Sequence, residues 1–371
     1  MLSPKTKRNI SRIIPFGVIW LITGLAFLVV EEAAIKDIGL PSTTRIELNV
    51  QILVFSALAV TVVGLLVGAI EILYLDKALS RFSFGKRTLY KLLFYTAMMF
   101  VVTLITFPVA ASLELHTGLF DKRVWEKLYV YLTSISHLSA NLQMSITLGI
   151  ALFYTEVSDN IGQGVLANFF TGKYHKPLEE ERIFMFLDMK SSTTIAEQLG
   201  HIRYFELLRA YYADMSEAIV LNSGEIYEYV GDEVIVTWKM EAGVANNNCI
   251  RCFFAMRDDL RKRAGWYLKK FGVEPTFKAG MHYGKVTAGE IGVVKKEITF
   301  TGDVLNATAR IQGLCNSLDT DLLISGELLE RLALAAAYSA RPLGHNELRG
   351  KKEGVDLFTI ERTGDPDGSR Q

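Results

Sequence analysis

Four long apolar segments crowd the first 155 residues of this 371-residue chain, at 13–30, 50–75, 92–113 and 128–154. Each is long enough to cross a hydrocarbon core of ~30 Å at ~1.5 Å per residue. A segment that enters lipid must satisfy its backbone hydrogen bonds internally, which a helix does. Half of all residues are hydrophobic (50%), more than a water-soluble domain usually carries, and the excess sits in these segments. A buried helical domain and, for the first segment, a signal peptide are the competing readings. A signal peptide has a shorter apolar core and a small-residue cleavage site, which 13–30 lacks. The expectation is a four-helix transmembrane domain over residues 1–155.

Loop charges orient it. Lys5, Lys7, Arg8 and Arg12 precede the first segment, and Lys77, Arg81, Lys86, Arg87 and Lys91 fill the second connection. The first loop holds Glu31, Glu32, Asp37 and Glu47 against Lys36 and Arg45, and the third is mixed. Positive loops stay cytoplasmic, so the N-terminus is expected inside, and four crossings return the second half to the cytoplasm. For a bacterial chain the compartment is the inner membrane. The net charge of zero hides a split: residues 1–155 hold 14 Lys/Arg and 9 Asp/Glu, a balance of +5, which leaves −5 for the rest. A nucleic-acid binder would show a basic second half, so membrane lipid, and no nucleic acid, is the expected partner. Cys249, Cys252 and Cys315 are too few for a disulfide scaffold, and Cys249-x-x-Cys252 in an apolar-periodic helix reads as core packing. Ser134, His137, Asn141 and Ser145 share one face of the fourth segment, marking either function or plain interhelical hydrogen bonding.

Residues 156–180 read as a transducer or linker helix. Ile161, Val165, Leu166, Phe169 and Phe170 recur at helical spacing as one apolar stripe, and Gly172 and Pro177 end it. The stripe packs either against a second copy or on its own domain. Elements then alternate over 181–362: a short apolar strand at 183–187, a helix at 193–221, a hairpin of 225–230 and 234–238, a long helix at 242–271, strands at 276–282 and 297–301, a helix at 304–314, and closing strands at 322–324 and 357–360. The β-α-β-β-α-β order predicts an α+β ferredoxin-like domain whose sheet is covered on one face by helices. A polar tail at 363–371 is expected to be disordered.

Three stretches carry the chemistry. In F184-M-F-L-D-M-K-S-S-T193 an apolar run ends on Asp188; in Y227-E-Y-V-G-D-E-V-I-V236 the pair Gly231-Asp232 sits between two β-type runs. Each places a carboxylate at a strand end or tight turn, where two acids can share hard cations. G302-D-V-L-N-A-T-A-R310 opens a helix with Asn306 and Arg310 one turn apart on one face. Two carboxylates for magnesium and a helical Asn/Arg pair suit a nucleoside triphosphate and a phosphorane-like transition state.

With His282-x-Gly284 between them, these motifs stand in an order that resembles the class III nucleotidyl cyclases, the adenylate/guanylate cyclase family, over roughly residues 180–362. The resemblance implies attack of a ribose 3′-hydroxyl on the α-phosphorus, with pyrophosphate leaving. It implies two Mg2+ or Mn2+ ions per site on Asp188, Asp232 and the backbone carbonyl of Met189. Asn306 would orient the ribose, Arg310 would stabilise the transition state, and Arg349 would stand where the family keeps a Lys for the terminal phosphates. Carboxylates and Asn/Arg come from different chains in this family, so the resemblance implies a homodimer with two shared sites. Glu228 and Thr299 fall at the base-reading positions and point to different bases. Thr fits an adenylate subclass, whereas Glu suits the guanine N1–H and N2 amine. S191-S-T193 also replaces the family's Gly-Phe-Thr. The expectation is an adenylate cyclase, with a guanylate cyclase or a silent nucleotide-binding receptor as alternatives.

Overall fold

The computed structural model describes residues 3–38, 46, 49–79, 81–161, 168, 171–294, 296–347 and 354–363. The chain forms two compact units, Thr6–Leu166 and, with Met1–Lys5, Ala167–Gln371.

The N-terminal unit is helical: α1 (Pro4–Ile38), α2 (Val50–Ile70), α3 (Phe84–Leu115), α4 (Lys122–Leu132) and α5 (Ile135–Ile161). Among the described residues three stretches, Pro4–Glu31, Val50–Leu79 and Gly85–Leu115, are long and apolar enough to cross a membrane. Gly64 and Gly68, one turn apart on α2, let α1 approach closely, because a Cβ at Gly64 would lie 2.8 Å from the Phe16 carbonyl oxygen and one at Gly68 would lie 2.8 Å from the Phe16 ring. Past Ile70 the helix widens into a π-turn, Glu71–Leu75. There the buried Glu71 carboxylate accepts from the Tyr95 hydroxyl at 2.7 Å and pairs with Lys91. The apolar segment at 128–154 is not one helix. Its chain breaks at Thr133-Ser134, where the Ser134 hydroxyl accepts from the His137 N–H at 3.3 Å and opens α5. The same helix continues through Ile161. The other stripe residues, Val165, Leu166, Phe169 and Phe170, lie outside the described residues, as does the tail 364–371.

The second unit is built on β1 (Leu178–Met189), β2 (Glu225–Val230), β3 (Glu233–Lys239), β4 (Phe277–Ile291), β5 (Glu297–Thr301), β6 (Leu322–Ser325), β7 (Tyr338–Asn346) and β8 (Val355–Arg362). Their order is β2-β3-β1-β4-β6-β8-β7, with β5 on the far end of β4. The sheet is mixed: β1 runs antiparallel to β3 and β4, and β4 parallel to β6. Three long helices cover it, α6 (Ser192–Leu221, interrupted at Gly200), α7 (Asn248–Lys262) and α8 (Asp303–Gly313).

Alternation along β1 decides which helix covers which face. Ile183, Met185, Leu187 and Met189 pack with Leu207, Tyr211, Phe253 and Met256 of α6 and α7. Phe184 and Phe186 pack instead with Val304 of α8. Helices therefore cover both faces, not one, because the β1 core segment is apolar on both sides. The long helix expected at 242–271 is broken where Asn246 and Asn247 adopt left-handed φ of 52° and 55°, so α7 starts at Asn248 and a short helix, Ala264–Phe271, follows. Cys249 and Cys252 are fully buried in this core, and burial pushes the Cys249 thiol up to about 12.

Candidate active site

Asp188 is the penultimate residue of β1 and shares the parity of Phe184 and Phe186, so it stands on the α8 face at the strand's end. Its side chain is 30% exposed, and it faces its register partner Lys278 across the β1–β4 ladder at 3.4 Å. Met189 closes the strand with its side chain buried, and its carbonyl is the last backbone acceptor before Lys190, whose N–H donates to Thr276 at 2.9 Å. Ser191 then takes a φ of 56° and opens α6.

Asp232 follows Gly231, whose φ of 64° the tight β2–β3 turn requires. The Tyr212 hydroxyl on α6 steadies that turn by donating to the Gly231 carbonyl at 2.7 Å. Since Leu187 pairs with Val234 in the antiparallel β1–β3 ladder, the turn comes level with the end of β1 and sets the two carboxylates side by side. Burial and the adjacent Asp232 carboxylate raise the Asp188 pKa, and Lys278 opposes them only in part. Burial and the same two charges push Glu233 up to about 6. Asp232 Oδ2 is buried and has no hydrogen-bond partner among the described residues. Crowded anionic oxygens, one of them orphaned, fit divalent cations: Asp188, Asp232 and the Met189 carbonyl are hard oxygen donors. Among the described residues no group of three or more His, Cys, Asp or Glu side chains gathers, so this donor set rests on a carboxylate pair.

Asn306 and Arg310 lie on α8, one turn apart. The helix presses Val304, Ala307, Thr308, Ile311 and Gln312 inward, whereas Asn306 is exposed and Arg310 half-buried on the opposite side. The pair therefore points away from the sheet that carries its own chain's Asp188. Gly280 makes this seat possible: a Cβ there would lie 2.4 Å from the Gln312 backbone nitrogen. Arg349 lies outside the described residues.

Glu228 and Thr299 are gathered around a residue that the motifs did not single out. A bulge between Ile226 and Glu228 makes Tyr227 the extra residue of β2 and pairs Glu228 with Ile235, which packs on the α8 face. The Tyr227 hydroxyl accepts from the Phe300 N–H at 3.3 Å and hydrogen-bonds the Thr299 side chain. Arg182, buried and paired with Glu180 and Glu225 at 2.8 and 2.9 Å, lays its guanidinium over the Phe300 ring. Glu228 remains exposed. Lys278, Tyr212 and Tyr227 are thus additions to the sequence reading. No spacing rule marks them, because strand register, a bulge and the packing of α6 bring them to the site. His282, counted among the ordered motifs, is buried in β4 and holds Ser325 of β6 at 2.8 Å.

The sequence model of the adenylate and guanylate cyclase catalytic domain matches residues 175–362. Adenylate cyclase 2 of Rhizobium meliloti (strain 1021) is 37% identical over 214 residues, 58% of this chain and 59% of that protein. Adenylate cyclase 1 of the same organism is 24% identical, over 54% of this chain and 30% of its own length. The chain thus spans less than two thirds of the length of these relatives. Among solved structures, a bacterial light-regulated adenylyl cyclase superposes with a TM-score of 0.52 at 19% identity, over 62% of this chain and 67% of the other. That likeness speaks to the fold.

Proposed function

Because the chain belongs to the class III nucleotidyl cyclases, we propose that it is a membrane-bound adenylate cyclase that converts ATP to 3′,5′-cyclic AMP and pyrophosphate at sites shared between two copies. The observation that carries the reading is the paired Asp188 and Asp232 carboxylates with the orphaned Asp232 oxygen. Asp188, Asp232 and the Met189 carbonyl would hold two Mg2+ or Mn2+ ions, which when bound acidify the 3′-hydroxyl and neutralise the leaving pyrophosphate. Lys278 holds Asp188 in position and offsets its charge. Arg310 offers a permanently charged fork to the crowded α-phosphorus, and Asn306, one turn earlier, orients the ribose. Arg349 keeps its terminal-phosphate role on sequence grounds alone. Since Asn306 and Arg310 project from the outer side of α8, they serve the carboxylates of a second copy, and the homodimer has two complete sites.

The domain plan follows: a transmembrane domain over 1–155, a transducer over 156–180, a catalytic domain of ferredoxin-like core over 181–362, and a tail over 363–371. An even number of crossings keeps both the N-terminus and the catalytic domain in the cytoplasm, where nucleoside triphosphates are. On this plan α5 is the fourth span, beside the three long apolar stretches, and the membrane is the bacterial inner membrane. The second reading, a guanylate cyclase, is favoured by one observation: Glu228 is exposed on the α8 face, where it can accept from guanine N1–H and the N2 amine. The test is mass spectrometry of products after the purified chain in lipid receives each of the four common nucleoside triphosphates with Mg2+ or Mn2+. Cyclic AMP formed fastest supports the proposal. Cyclic GMP in excess moves it to the second reading, and nucleotide binding without any cyclic product overturns both.

A further inference from the structure

The side chains at the two base-reading positions stand on strands that share no ladder among the described residues. Glu228 belongs to β2, the end strand of the sheet, and Thr299 to β5, which pairs with β4. Strands β3, β1 and β4 lie between them. A side chain that crosses the α8 face joins the two. Tyr227, next to Glu228 and extra in the bulge, packs there on Phe300, with 5.1 Å between ring centroids. Its hydroxyl accepts from the Phe300 backbone N–H and hydrogen-bonds the Thr299 side chain. Behind the pair, the Arg182 guanidinium lies 4.5 Å from the centre of the Phe300 ring and is itself tied to Glu225 of β2. The position of Thr299 relative to Glu228 is therefore set across the sheet face, by Tyr227 and its buttress, and not by strand pairing.

Adenine and guanine differ at the exocyclic group of the six-membered ring, an amine that donates in one and a carbonyl that accepts in the other. A threonine hydroxyl with no partner in the protein turns to suit either, since it is both donor and acceptor. One held by a neighbouring phenol has its orientation chosen for it, and so suits one base better than the other. We propose that Tyr227 is a positioning residue for base selection: it fixes the Thr299 hydroxyl relative to Glu228 and lets the site tell adenine from guanine. The inference rests on the cyclase reading above and on Thr299 meeting the base. It also accounts for two base-reading residues that point to different bases, because the one that is held carries the selection.

Competition between the two nucleotides measures this directly. The full chain in phospholipid nanodiscs receives equimolar ATP and GTP with Mg2+, and mass spectrometry of the two cyclic products gives the ratio of kcat/KM. Whichever base the wild type prefers, Tyr227→Phe, which keeps the ring and removes the hydroxyl, should bring that ratio about 5-fold nearer to one, as the loss of one neutral hydrogen bond implies. Thr299→Val, which keeps the shape and removes the hydroxyl, should lower the preference as well. The double variant should go no further than Thr299→Val, because Tyr227 acts through Thr299. A Tyr227→Phe protein that loses activity equally toward both nucleotides overturns the proposal, as does an effect that adds in full to that of Thr299→Val. Equal rates with both nucleotides in wild type overturn it too. So does a Tyr227→Phe protein that fails to fold by gel filtration and circular dichroism, since the hydroxyl is then a structural tie. The cyclase reading fails on a separate result, the absence of any cyclic product from wild type. An unshifted ratio in an active Thr299→Val protein removes Thr299 from the pocket, and this proposal with it, but leaves the carboxylate pair untouched.

Discussion

Holding two carboxylates against one another is unfavourable unless something positive joins them, and Asp188 and Asp232 are held so by a strand end and a hairpin. Burial and Asp232 raise the Asp188 pKa and so disfavour its charged form in the fold, and among the described residues Lys278 opposes the repulsion. Replacing Asp232 by Asn should therefore lower turnover ~10³-fold or more while raising the melting temperature in EDTA, because one charge of a repelling pair is gone. Wild type should gain stability from added Mg2+, by about 2.7 kcal/mol at a concentration a hundredfold above its dissociation constant, and the variant should gain little. Calorimetry with and without Mg2+ checks both; a turn residue of purely structural importance would give a less stable variant in EDTA. Glu228 carries a second prediction. Lys in its place supplies a donor to adenine N1 and removes the acceptor for guanine, so Glu228→Lys should raise the ATP-to-GTP ratio of kcat/KM about 5- to 150-fold. An unchanged ratio in an active variant would show that this side chain does not face the base.

The elements read from the sequence were those whose pattern is local. The β2–β3 hairpin and the helix carrying Asn306 and Arg310 stand where spacing put them, because Gly-Asp between alternating runs and a 3.6-residue apolar repeat are signals contained in a few residues. Strand β1 was read only at 183–187, where both faces are buried. Before that stretch come Glu179, Glu180, Glu181 and Arg182, polar residues that hold a strand through the β4 ladder and the Arg182 ion pairs. Strand β7 escaped notice because it is a largely exposed edge, with Pro342 and Gly344 at an irregularity that argues against a strand in any local rule. The carboxylate pair was legible as two motifs, but Lys278 and Tyr227 were not, since their roles exist only once register is set. The contact of α8 with β4 is likewise invisible in sequence, and it makes a prediction. Gly280→Ala would drive a Cβ to 2.7 Å from the Gln312 Cα, so it should cost about 3 kcal/mol or more and lower activity by displacing the Asn306 and Arg310 helix. Gly289→Ala, where the nearest atom is Pro177 Cα at 3.6 Å, is the tolerated control. Chemical denaturation of both proteins measures the difference.

At the scale of the whole molecule, the proposed reading gives one copy two halves of different sites. Asp188→Ala and Arg310→Ala should each be nearly inactive, yet a mixed dimer contains one site with both changes and one with neither. Co-expression should restore up to about half of the activity of a wild-type dimer in the heterodimer fraction. Continued inactivity in demonstrated heterodimers would mean that each chain completes its own site. The outward side of α8 has a further meaning if the chain is, as proposed, confined to a sheet of lipid. If catalysis needs two copies to meet, output is second order in surface density while the copies are sparse and first order once they are crowded. Reconstituting the same amount of protein at rising lipid-to-protein ratios should then lower activity per molecule, although no residue has changed. Expression level, and any partitioning of the chain into patches of membrane, would by themselves switch the signal on and off.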